Sequence, residues 1–179
     1  MVRQIAVENY DPNWVEKYTR AAERLKSVFG AELTAIYHIG STAIPGIKAK
    51  PIIDILIAVR DIELVDALNP ALQQLGHEAC GEFGIPGRRY FRRGGDERTH
   101  HMHVFQQGNA HISRHLAFRD YLCAHPEDAL AYSDLKVRLA AAHRDDIHAY
   151  MEGKHAFIQA IDHKAAQWRQ QVGDAHRQE

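Results

Sequence analysis

The chain has 179 residues, 45% hydrophobic and 25% charged, which is ordinary for a globular domain, sufficient for one core and short for two. A formal net charge of −1 provides no bulk attraction to nucleic acid or to an anionic membrane, so any anion must be held by a local cluster. There is no signal-like apolar run at the start and no window near the roughly 18 apolar residues of a membrane span. Two cysteines in unrelated contexts, Cys80 and Cys123, do not form a secreted framework, so a cytoplasmic chain without membrane attachment is expected.

Asp11-Pro12 signals a helix start, and Trp14, Tyr18, Ala21, Leu25 and Val28 follow at the spacing of one helical face up to Gly30. Residues 35–39 read as a strand entering Gly40, and the β-branched, almost wholly apolar run 51–59 reads as a buried central strand. Asp61 caps a helical stretch that Asn69-Pro70 interrupts and Gly76 closes. Residues 77–108 read as β structure, with 88–93 and 99–105 forming a hairpin about Gly94-Gly95-Asp96. Helices are expected over 111–124, over 127–143 and from Asp145-Asp146 onward, with a break at His125-Pro126. The layout predicts an α+β fold, a mixed sheet with flanking helices and a helical C-terminal half. One domain covers 1–172, and a polar, frayed tail covers 173–179.

The chemistry centres on His38-Ile39-Gly40-Ser41-Thr42 and the following strand. Glycine lets a backbone approach a phosphate, and the serine hydroxyl can donate to it, although a Gly-Ser turn alone is common. Asp54 inside the apolar run is costly unless it is paired or functional. Alternation places Ile53, Ile55, Ile57 and Val59 on one face and Ile52, Asp54, Leu56 and Ala58 on the other. By the same rule His101 and His103 share a face. If their strand lies beside that of Asp54, the three could form a metal site, to which two imidazoles and a carboxylate draw Zn²⁺, Mn²⁺ or Fe²⁺ more than Mg²⁺. Alternatively, one histidine acts as a general base, or both are polar residues on the wet side of a sheet.

Arg88, Arg89, Arg92 and Arg93, with Tyr90 and Phe91 between them, could contact phosphate or RNA, or could be a solvated hairpin. Lys136 follows Tyr132, and Lys154 follows Tyr150, at i+4 on one helical face. Arg119-Asp120 reads as a structural ion pair. His111 and His115, also i and i+4, show no third ligand and are not assigned to a metal.

The segment from His38 to Leu56 resembles the GrpB family of the nucleotidyltransferase superfamily. The resemblance continues through Pro86 to Phe91, Thr99 to Val104, His115 to Leu122, Tyr132 to Lys136, Tyr150 to Lys154 and Phe157, covering roughly residues 5–165. It implies a nucleotidyltransferase-like fold and a metal-dependent protein that binds a nucleotide or another phosphorylated small molecule. Asp54 and His103 would be catalytic, and Asp54, His101 and His103 would hold a divalent ion (Mg, Mn or Zn). Gly40, Ser41, Lys50, Arg88, Lys136 and Lys154 would contact phosphate. Active members of the superfamily carry a second carboxylate two residues after the first; here that position is Leu56, which puts ordinary two-Mg²⁺ transfer in doubt and leaves enzymatic activity open. The resemblance also implies an alternative, a non-catalytic nucleotide-binding or folding-assistance module, as in GrpB-like domains fused to dephospho-CoA kinase. A protein partner would suit that alternative; nucleic acid is not expected.

Overall fold

The computed structural model describes residues 5–175. Five strands form one mixed sheet in the order β1-β2-β5-β4-β3. They are β1 (Leu33–Ile39), β2 (Ile53–Val59), β3 (His77–Ala79), β4 (Arg88–Arg93) and β5 (His100–Gln106). β2 runs parallel to β5, and the other neighbours are antiparallel. The helices are α1 (Asn13–Phe29), α2 (Asn69–Gln74), α3 (Ala110–Ala124), α4 (Pro126–Ala142) and α5 (Ile147–Ala175). The fold is α+β with a helical C-terminal half.

Period-two alternation in β2 divides the molecule into two layers. Ile53, Ile55, Ile57 and Val59 pack with Trp14, Leu25 and Phe29 of α1, Leu72 of α2, and Met102 and Val104 of β5. Each fully buried side chain of this kind contributes roughly 1.5–3 kcal/mol. On the opposite face Leu56 packs with Ile39 and Phe105, against Ile112 and Leu116 of α3. The second-carboxylate position is thus apolar filler beneath a helix, where an ionised side chain would be stranded. A third cluster draws Ile44 and Ile47, from the β1–β2 connection, under α3, α4 and α5. That connection is tied down further where Lys48 N donates to Ser133 Oγ at 2.9 Å.

Two expectations change. Asn69-Pro70 does not interrupt the helical stretch: a 3₁₀ turn over Ile62–Leu68, capped by Asp61, passes into α2. Pro70 lies in the first turn of α2, where its missing N–H leaves no bond unmade. The frayed tail from Gly173 is also revised, because α5 passes through Gly173 to Ala175; the remainder of 173–179 lies outside the described residues. No described helix is long and apolar enough to cross a membrane.

Candidate functional site

β1 delivers the chain to Gly40, whose φ of 72° and ψ of −172° are reached readily only by glycine. A Cβ on Gly40 would collide with Asp54 Oδ2, so the missing side chain is what lets the turn rest on the carboxylate. Antiparallel pairing of Ile39 with Asp54 sets this register. Arg119 Nη1 of α3 donates to His38 O at 2.9 Å and holds the end of β1, and Arg119 also pairs with Asp120 at 2.7 Å, as read from the sequence. Ser41 opens the next turn.

Parallel pairing sets Asp54 opposite His101 and Leu56 opposite His103, so both imidazoles face the carboxylate. His101 Nδ1 lies 3.2 Å and His103 Nε2 3.8 Å from Asp54 Oδ1. Burial pushes the Asp54 carboxyl up, but the contacts with the two histidines outweigh it and hold it well below the usual carboxylate range. The side chain is 27% exposed, so the carboxylate remains reachable from solvent.

Arg88 does not offer a guanidinium to phosphate. Its side chain donates from Nε to Glu82 O at 3.1 Å and from Nη2 to Phe83 O at 2.7 Å, and Nη1 lies 3.4 Å from His103 Nδ1. Arginine can only donate, so a hydrogen bond at this contact would have Nδ1 of His103 as its acceptor. Among the described residues, no group of three or more His, Cys, Asp or Glu is arranged to hold a metal ion. The three-ligand centre therefore does not fit as expected. Asp54 is a carboxylate flanked at ion-pair distance by two imidazoles.

Elsewhere on the hairpin Arg89 is paired to Asp66 at 2.8 Å and Arg92 to Glu78 at 2.7 Å.

Lys136 and Lys154 lie deep instead. They are 2% and 7% exposed, with ammonium nitrogens 4.5 and 4.4 Å from the ring centres of Tyr132 and Tyr150. Lys136 also donates to Lys48 O. Neither lysine has an ion pair among the described residues, and Lys50 Nζ lies over the Tyr150 ring at 5.1 Å. Burial, then the charge of Lys154, pushes Lys136 down to about 7. Burial, then Lys50, pushes Lys154 down to about 8, against an opposing pull from Asp54. The sequence shows each Tyr–Lys pair on one face but not that both lysines are buried.

His115 was also missed. Its ring lies 5.5 Å from that of His103, and burial pushes it down to about 3. From the sequence its i, i+4 spacing from His111 is weighed only as a metal pair and not assigned, whereas His115 turns toward the sheet and His111 stacks on Phe105.

The family model described as GrpB protein matches residues 4–164. YqkA of Bacillus subtilis is 48% identical over 174 residues, which cover 97% of this chain and 51% of that protein. A dephospho-CoA kinase of Mycobacterium leprae is 26% identical over 194 residues, 91% of this chain and 47% of the kinase. The chain thus spans about half the length of each of these relatives. The crystal structure of conserved protein GrpB from Enterococcus faecalis matches with a TM-score of 0.89 and 45% identity, covering 92% of this chain and 99% of that one. Sequence motifs, sheet and solved neighbour agree over nearly the whole length, and the chain belongs to the GrpB family.

Proposed function

We propose that this chain binds a phosphorylated small molecule, with a nucleotide as the leading candidate. Its phosphates would lie between the Gly40-Ser41 turn and the amines of Lys50, Lys136 and Lys154. One observation carries this reading: two buried lysines have no carboxylate partner among the described residues. Burying an ammonium is costly unless a counter-charge arrives, and a phosphate would supply one. Asp54 would stay ionised beside the bound phosphate, with His101 and His103 next to it placed to move a proton. No step is routed through a divalent metal, because among the described residues no group of three or more His, Cys, Asp or Glu is arranged to hold one.

Calorimetric titration with inorganic tripolyphosphate at pH 6.5, with chelator, tests the cradle. Binding should be lost in the Lys136→Met, Lys154→Met double variant and tighten several-fold in Asp54→Asn, which removes a negative charge beside the anion. Binding that survives the double variant overturns the cradle. Affinity that appears only with Mn²⁺ or Zn²⁺ and vanishes in Asp54→Asn restores the metal centre.

A second reading is a non-catalytic folding-assistance module with a protein partner. The match to about half of a dephospho-CoA kinase favours it, as does the apolar burial of Leu56. Under it, phosphate binding persists without turnover. An enzyme would instead release product from a nucleoside triphosphate and stop doing so in Asp54→Asn.

A further inference from the structure

Between β3 and β4 the chain runs Gly81-Glu82-Phe83-Gly84-Ile85-Pro86-Gly87, and all three glycines have positive φ. Phe83 does too, at 45°, and it is the one non-glycine residue to do so among the described residues. A bulky side chain adopts this conformation only when its surroundings impose it. Here they do: Arg88 Nη2 donates to Phe83 O at 2.7 Å, and Gly87 N donates to Glu82 Oε1 at 2.7 Å. The Phe83 ring stacks on Tyr90 with centres 5.0 Å apart and planes 20° from parallel. Its outer face is in water, and at 62% it is the most exposed large apolar residue described.

Tyr90 connects this ring to the candidate site. Its centre lies 5.3 Å from His103 and 5.7 Å from His101, and His101 reaches Asp54. A succession of flat rings therefore leads from solvent to the carboxylate, whose charge acts on Lys154 of the cradle. We infer that Phe83 is the stacking platform for the base of a nucleotide whose phosphates occupy that cradle. This rests on the proposed phosphate site and deepens it, because a lysine cradle alone would not distinguish a nucleotide from inorganic polyphosphate. Covering Tyr90 would require only the inner face of the ring. A strained, anchored aromatic with an open outer face has the form of a base-stacking surface, which any base can use through its π-face.

The test uses the full chain with chelator at pH 6.5. Each of the four ribonucleoside triphosphates and inorganic tripolyphosphate is titrated by calorimetry against wild type, Phe83→Asn and Phe83→Tyr. Asparagine tolerates positive φ, so the loop should keep its shape without the ring, whereas tyrosine keeps the ring. At least one nucleotide should bind about tenfold or more tighter than tripolyphosphate. Phe83→Asn should abolish that advantage, Phe83→Tyr should keep it, and tripolyphosphate should bind all three proteins alike. If tripolyphosphate binds and no nucleotide exceeds it, or the advantage survives Phe83→Asn, the stacking platform is wrong and the cradle stands. If neither binds wild type, both are wrong.

Discussion

Replacing Lys136 with methionine removes a buried amine while keeping an unbranched apolar side chain of similar length. An ordinary lysine titrates near 10.5, and burial followed by the charge of Lys154 takes Lys136 to about 7. At about 1.4 kcal/mol per pH unit, that gap corresponds to roughly 5 kcal/mol of unfavourable charging in the folded state. Between pH 7 and 10.5 the unfolded chain holds more protons than the folded one, so this residue makes stability rise with pH across that window. The variant lacks the slope. Urea unfolding in phosphate-free buffer should therefore favour Lys136→Met most at pH 7 and below, and wild type should regain roughly 2 kcal/mol relative to it by pH 9. The lost hydrogen bond to Lys48 O and the lost contact with Tyr132 are a constant offset on the variant, about 1.5–3 kcal/mol for the charged bond. Tripolyphosphate should narrow the pH dependence of wild type by supplying the counter-charge, with no effect on the variant. A stability difference that is the same at pH 7 and pH 9 would refute the claim that Lys136 is buried without a counter-ion.

Gly40→Ala forces a Cβ into Asp54 Oδ2 and an L-residue into glycine-only backbone space. The backbone term alone costs roughly 1–3 kcal/mol; denaturant unfolding should show at least that loss, and an unchanged midpoint would count against the close approach. His77 and His100, buried on the α1 face of the sheet, are each pushed down to about 4 by burial, then by Arg93. Between their ordinary 6.5 and about 4 the unfolded chain binds the extra protons, so stability falls as the pH drops through that range. His100→Asn should flatten this acid limb in circular-dichroism melts; an unaltered limb would show that His100 is not held neutral.

Much of the site could be read in advance. Alternation alone places Asp54 opposite the apolar layer of β2 and sets His101 and His103 on one face. Only strand order brings them together, because β2 and β5 are separated by β3 and β4 in the chain and become neighbours through a crossover. Arg88 looked like a phosphate ligand because Arg-rich hairpins often are, but the 81–87 loop folds its carbonyls onto the guanidinium and changes its partner to His103. The local sequence around Arg88 carries no signal for that.

The sequence by itself determined the family, the layering of β2 and the loss of a second carboxylate at Leu56. These follow from residue identity and from the two-residue period of a strand, both local properties. Tertiary structure decided the rest: that Lys136 and Lys154 are buried without counter-ions among the described residues, that His115 turns inward, and that Arg88 lies against His103 beside Asp54. Each depends on which surfaces meet across the fold, because charge burial and hydrogen-bond polarity belong to pairs of distant groups and not to any segment read alone.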